Sequence, residues 1–120
     1  MIFFRTMGVA VLLALAATAA VAQSVSGRYT VEGRNLDGSR YRGTAEIEVT
    51  SKNTCRIVWN TGSTFHGICM RNGKVFAASY GQGGTAGLVI YEIRPDGRME
   101  GLWTVADRDG VGTETLLPVD

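Results

Sequence analysis

The sequence predicts an all-β fold, a small eight-stranded antiparallel up-and-down barrel, and three observations predict it. Apolar and polar residues alternate with period two along most of the chain. Turn signals containing glycine cut that alternation at regular intervals. No segment beyond residue 22 carries the three-and-four apolar spacing of an amphipathic helix.

Residues 1–22 stand apart from this pattern. Arg5 supplies a positive charge, Met7 to Val21 form an apolar run rich in Ala, Val and Leu, and Ala20-Val21-Ala22 ends it in small residues. That is the layout of a secretory signal peptide, and the run is short for a membrane span. Cleavage after Ala22 leaves residues 23–120 as one domain working in the periplasm or outside the cell. Without Arg5 the 12 Lys and Arg fall to eleven, equal to the 11 Asp and Glu. The charges alternate in sign, so there is no basic stripe for nucleic acid or anionic lipid. No second apolar segment offers a membrane span, and no cysteine follows the signal to accept a lipid.

The strands are then justified in order. The first, 27–35, ends at Asp37-Gly38, a turn pair whose glycine accepts positive φ. The second, 40–50, shows the cleanest alternation. Tyr41, Ala45, Ile47 and Val49 share one face, and Arg42, Thr44, Glu46 and Glu48 share the other. A break at Ser51-Lys52-Asn53 leads to 54–60, and Thr61-Gly62-Ser63 leads to 64–71. Asn72-Gly73 turns the chain into 74–80, and Gly81 to Gly84 reads as a flexible connection to 86–94. Pro95-Asp96-Gly97 precedes 98–105, and Asp107 to Gly110 precedes 111–117. Short connections make each strand pair with the next, and closure removes the two exposed edges. A two-sheet clam or sandwich is the competing geometry. Gly33, Gly43, Gly67, Gly87 and Gly101 fall inside strands, where they permit sharp bends. The Asp-Gly turns at 37–38 and 96–97 head similar hairpins, which suggests either an old duplication or, more simply, convergence on one turn.

Cys55 and Cys69 are equidistant from Gly62. A hairpin folded about that residue sets Cys55 against Cys69, Ile57 against Gly67 and Trp59 against Phe65. In an oxidising compartment this predicts a structural disulfide, and the Cys-x-x-Cys spacing of a redox pair is missing.

Candidates for chemistry are few. His66 is the single histidine, and it should lie on the polar face beside Arg56 and Asn60. Acid–base work would pair it with a carboxylate such as Glu114, but most carboxylates alternate with apolar residues or sit at turn tips, where water keeps them ordinary. No Gly-x-Ser-x-Gly elbow is present. Asp107-Arg108-Asp109-Gly110 lacks the ligands of a calcium loop, one histidine cannot build a zinc site, and no cofactor is expected. Tyr29, Tyr41, Trp59, Phe65 and Trp103 fall on interior faces. Of these Tyr41, Trp59, Phe65 and Trp103 are the candidate ligand-binding residues. An interior of eight strands is either filled or holds one small molecule, and side chains this large favour filling. Phe76, Tyr80 and Tyr91 are candidates for an outer aromatic patch.

Two resemblances bear on these residues. Gly27-Arg28-Tyr29 is similar to the Gly-x-Trp opening of lipocalin-like (calycin) barrels, with Tyr in place of Trp. The chain is shorter than those barrels and lacks their last-strand arginine. Gly27 to Gly43, Ile57 to Trp59, Gly101 to Trp103 and Gly112 to Glu114 together resemble short exported bacterial β-barrel proteins, some of which carry a fibronectin-binding label. That resemblance implies a fold and a compartment and brings no catalytic residues. The expected role is non-catalytic recognition of a protein or cell-envelope partner. The alternatives are a carrier of one small apolar ligand and a small enzyme using His66. A filled lumen with an apolar outer patch would favour the first, an empty aromatic lumen the second, and His66 beside a buried carboxylate the third.

Overall fold

The computed structural model describes residues 24–119, and residues 1–22, where a signal peptide is expected, lie outside the described residues. Eight strands form a closed antiparallel barrel in chain order: β1 (Gly27–Arg34), β2 (Arg40–Val49), β3 (Thr54–Asn60), β4 (Thr64–Asn72), β5 (Val75–Gln82), β6 (Thr85–Ile93), β7 (Met99–Val105) and β8 (Gly112–Pro118). Closure comes from β1 pairing with β8, Val31 opposite Leu116. The sandwich alternative is therefore excluded.

The meander puts connections 35–39, 61–63, 83–84 and 106–111 at one end. Connections 50–53, 73–74 and 94–98 lie at the other, with residues 24–26 and 119. Turn chemistry explains the tight ones. Between β5 and β6 only Gly83 and Gly84 remain, both at positive φ, so the connection that reads as flexible in sequence is a two-residue hairpin. In 35–39 and 94–98 the same device recurs: Asp37 accepts from the Ser39 N–H at 2.9 Å, and Asp96 from the Arg98 N–H at 3.0 Å. The two turns sit at opposite ends of the barrel, because β1 and β6 run in opposite directions. Repeating an even block of strands cannot relate them, and convergence on one turn accounts for the likeness.

The half of the interior nearer the chain ends is filled. Val31, Ile57, Phe76, Met99 and Leu116 are fully buried there, with Ile47 beside them. Val25 plugs this end, and its carbonyl accepts a hydrogen bond from the Tyr29 hydroxyl at 2.6 Å. Cys55 and Cys69 face each other across β3 and β4, Cα atoms 4.9 Å apart, and form a disulfide inside this packed half. Ile57 opposite Gly67 and Trp59 opposite Phe65 complete the ladder expected from the symmetry about Gly62.

Aromatic rings fit this narrow barrel because the neighbouring strand gives them space. Gly33 pairs with Tyr41, Gly87 with Tyr80, Gly101 with Tyr91 and Gly112 with Trp103. A Cβ at any of these glycines would come within 3.0 Å of its partner's ring. The sequence suggests bend points at such positions; the structure adds steric room for one ring each.

Ile47 is buried and Glu48 exposed on β2. Ile47→Asp should cost more than about 3 kcal/mol by burying an unpaired charge, and Glu48→Ala should stay within about 0.5 kcal/mol. Urea titration of both variants checks this, and equal costs would show the register of β2 to be wrong. Thiol titration without reductant should find no free cysteine, and Cys55→Ala/Cys69→Ala should lose about 3 kcal/mol for a loop of this length.

Candidate functional site

The other half of the barrel is open. A cavity of about 320 Å³ enters between the connections at the 35–39 end. Its walls are Tyr41 from β2, Trp59 from β3, Phe65 from β4, Tyr80 from β5 and Trp103 from β7. Val89 and Glu114 close its floor, and Asn35, Thr61, Ser63 and Arg108 stand at the rim. The rings meet edge to face. Tyr80 lies 5.3 Å from Trp59 and 5.5 Å from Phe65 between ring centres, and Tyr41 lies 6.2 Å from Trp103. The preference for a filled lumen therefore holds for only half the barrel. Two further depressions flank Val25 at the opposite end. They are lined mainly by turn and chain-end residues and contain no buried carboxylate.

Glu114 is the chemical centre of the cavity. It projects inward from β8 and is 7% exposed, the one buried charged side chain among the described residues. Three donors converge on it. Tyr41 Oη donates to Oε1 at 2.6 Å, Trp59 Nε1 donates to Oε2 at 3.1 Å, and Tyr91 Oη donates to Oε2 from beneath the floor. The indole N–H also reaches the Tyr91 hydroxyl at 3.2 Å. Among the described residues no ion pair includes Glu114; the ion pairs, such as Arg42 with Glu32 and Arg94 with Glu92, lie on the outer surface.

The protonation states follow from this placement. Burial raises the Glu114 pKa, and the hydrogen bonds from Tyr41, Tyr91 and Trp59 pull against that rise without cancelling it. Burial and then the nearby Glu114 charge push Tyr80 up to about 12. The same causes raise Tyr41 and Tyr91, so all three phenols remain hydrogen-bond donors at neutral pH.

No family model and no curated protein matches the chain. Among solved structures it is similar to a de novo designed fluorescence-activating β-barrel, with a TM-score of 0.58 and 19% identity over 77% of this chain and 92% of that chain. It is also similar to a structure described as the REP1-NXSQ fatty acid transporter, with a TM-score of 0.53 and 16% identity over 80% of this chain and 96% of that chain. At these identities the likeness is one of fold alone.

The candidate residues Tyr41, Trp59, Phe65 and Trp103 are thus brought together around one cavity. Phe76, Tyr80 and Tyr91 form no outer patch. Phe76 and Tyr91 are buried, and Tyr80 lines the cavity. The parity of these strands is ambiguous in sequence because both faces are apolar, as in Leu88-Val89-Ile90-Tyr91. The glycine opposite each inward tyrosine is the signal that would have resolved it. Glu114 departs from the expectation of ordinary, solvated carboxylates. Leu116 and Leu117 leave the parity of β8 open, and β8 turns Leu116 and therefore Glu114 inward. His66 is exposed on the outer face opposite Val58, so it shares no site with Glu114.

A raised carboxyl pKa means the folded state holds its proton more tightly than the unfolded chain does. Its contribution to stability is full below the ordinary value of 4.5 and is lost as pH rises through the raised folded value. Glu114→Gln removes that term. Urea unfolding from pH 4 to 8 should show wild type losing stability relative to Glu114→Gln as pH rises, and parallel profiles would contradict the assignment.

Proposed function

We propose that this protein is an exported, non-catalytic binding protein that holds one small, largely apolar ligand in the cavity at the open end of its barrel. The observation that carries this reading is the cavity itself, five aromatic walls enclosing about 320 Å³ above a hydrogen-bonded floor. That volume is at the small end of the range of ligand sites, about 300–1,000 Å³, and its mix of apolar walls and a few placed polar groups is typical of them. The two structural neighbours support it by analogy of fold, since one is a designed fluorescence-activating barrel and the other is described as a fatty acid transporter. Export rests on the signal-like residues 1–22 and accords with an internal disulfide. The absence of catalysis is part of the proposal. It rests on His66 facing outward while the buried carboxylate faces inward.

A second reading, recognition of a protein or envelope partner, has one observation in its favour. Ile68 and Met70 on β4, Leu88 and Ile90 on β6, and Leu102 on β7 are exposed along adjacent outer rows of the barrel. Outward charge dominates β1 and β2, so this apolar face is one-sided.

Titration of the purified mature protein with N-phenyl-1-naphthylamine, a neutral fluorophore, tests the carrier reading. Saturable enhancement at one site is expected. Val89→Phe, which places a ring on the cavity floor, should weaken it at least ten-fold with the circular dichroism spectrum unchanged, while His66→Ala should leave it intact. Enhancement insensitive to Val89→Phe would move the binding to the outer face and favour the second reading.

A further inference from the structure

Resting on the carrier reading, we infer that the ligand carries a protonated amine and that Glu114, inside its aromatic enclosure, is the group that receives it. The geometry points there in three steps. First, the floor of the cavity presents a carboxylate, so a ligand entering head-first with a carboxylate or phosphate would set two anions together in a low-dielectric site. Second, the two carboxylate oxygens are unequally used. Oε2 is tied into the floor by Trp59 and Tyr91, whereas Oε1, on the Tyr41 side, accepts from Tyr41 within hydrogen-bonding range and from no other described group. A carboxylate oxygen has room for a second donor, and an ammonium offers three. Third, the walls above Glu114 are aromatic, formed by Tyr41, Trp59, Phe65, Tyr80 and Trp103. A cation seated over the face of such a ring is attracted through its quadrupole, most strongly where water is excluded.

Every charged or titratable group facing the site fits this assignment. Tyr41 and Tyr91 donate to Glu114, and Tyr80 is held as a neutral phenol. Arg108 is the one cation among the described residues that line the cavity. It is exposed at the rim and sits between Asp107 and Asp109 in the chain. No ion pair among the described residues joins it to Glu114, and a ligand ammonium would supply the buried carboxylate with a counter-ion. A cavity of about 320 Å³ suits a compact amine with a flat or short apolar body.

Three probes of equal length and different charge test the inference: 3-phenylpropylamine, 3-phenylpropanol and 3-phenylpropionate. Binding is read by calorimetry and by the indole N–H resonance of Trp59, assigned with Trp103→Phe. The amine should bind at least ten-fold more tightly than the alcohol and should shift the Trp59 resonance, and the propionate should bind most weakly. The amine's advantage should grow as pH rises from 5 to 8, because the carboxylate must be ionised, while the alcohol's affinity stays flat. Glu114→Gln should abolish the amine's preference over the alcohol. An amine no better than the alcohol, or a preference that survives Glu114→Gln, overturns the inference. If that happens while N-phenyl-1-naphthylamine still binds, the carrier reading stands and only the cation assignment fails. If no probe binds, both fail together. The charge series on unaltered protein separates these outcomes even if Glu114→Gln does not fold.

Discussion

A large ring lies most easily across the inside of an eight-stranded barrel where the neighbouring strand has no side chain to put there. That steric condition places four of the rings in this molecule. Tyr41, Tyr80, Tyr91 and Trp103 each point inward opposite a glycine, and a single added methyl group at Gly33, Gly87, Gly101 or Gly112 would occupy ring volume. The pairing is reciprocal. Glycine inside a strand is costly in conformational entropy and contributes no packing, and the ring that covers it restores the lost contact. Three of these rings, Tyr41, Tyr80 and Trp103, are walls of the cavity, and Tyr91 lies beneath its floor.

The same barrel divides its interior between packing and access. At the end near Val25, aliphatic side chains, Phe76 and the Cys55–Cys69 bridge occupy the lumen, and the cohesion of the fold is concentrated there. At the other end, large rings stand around a space they do not fill, so their apolar surface is only partly removed from water. A domain of this size has little stability to spare. The disulfide and the plugged end offset what the open end leaves unburied.

Fold was legible in the sequence because its signals are local. Alternation in Tyr41 to Val49 sets one strand's faces, and the turn residues set the connections. The placement of Cys55 and Cys69 about Gly62 gave the register of β3 and β4 to the residue. The candidate site was only half legible. Trp59 and Phe65 inherit their direction from the cysteine ladder, and Tyr41 from the cleanest strand. Glu114 and Tyr91 sit on strands whose two faces are equally apolar, where parity is decided by which neighbour is a glycine on another strand. That information is non-local, and alternation within a single strand does not contain it.

Glu114 belongs to the last strand, while its donors come from β2, β3 and β6. Oε1 and Oε2 therefore acquire their full set of hydrogen bonds only when β8 docks between β7 and β1. Pairing of β8 with β1 joins residues near opposite ends of the domain, the contact with the largest loop-closure entropy in the fold. The cavity with its hydrogen-bonded floor and the closed barrel thus form in one event. A buried carboxylate resists that event, because burial disfavours its charge, and the donors from Tyr41, Trp59 and Tyr91 only partly compensate. Any ligand that completes the solvation of Glu114 binds the closed barrel and not the open chain, and so stabilises closure by mass action. The group that burial penalises and the group proposed to recognise a ligand are the same residue, because a donor on a ligand can relieve the imbalance that burial creates at Glu114.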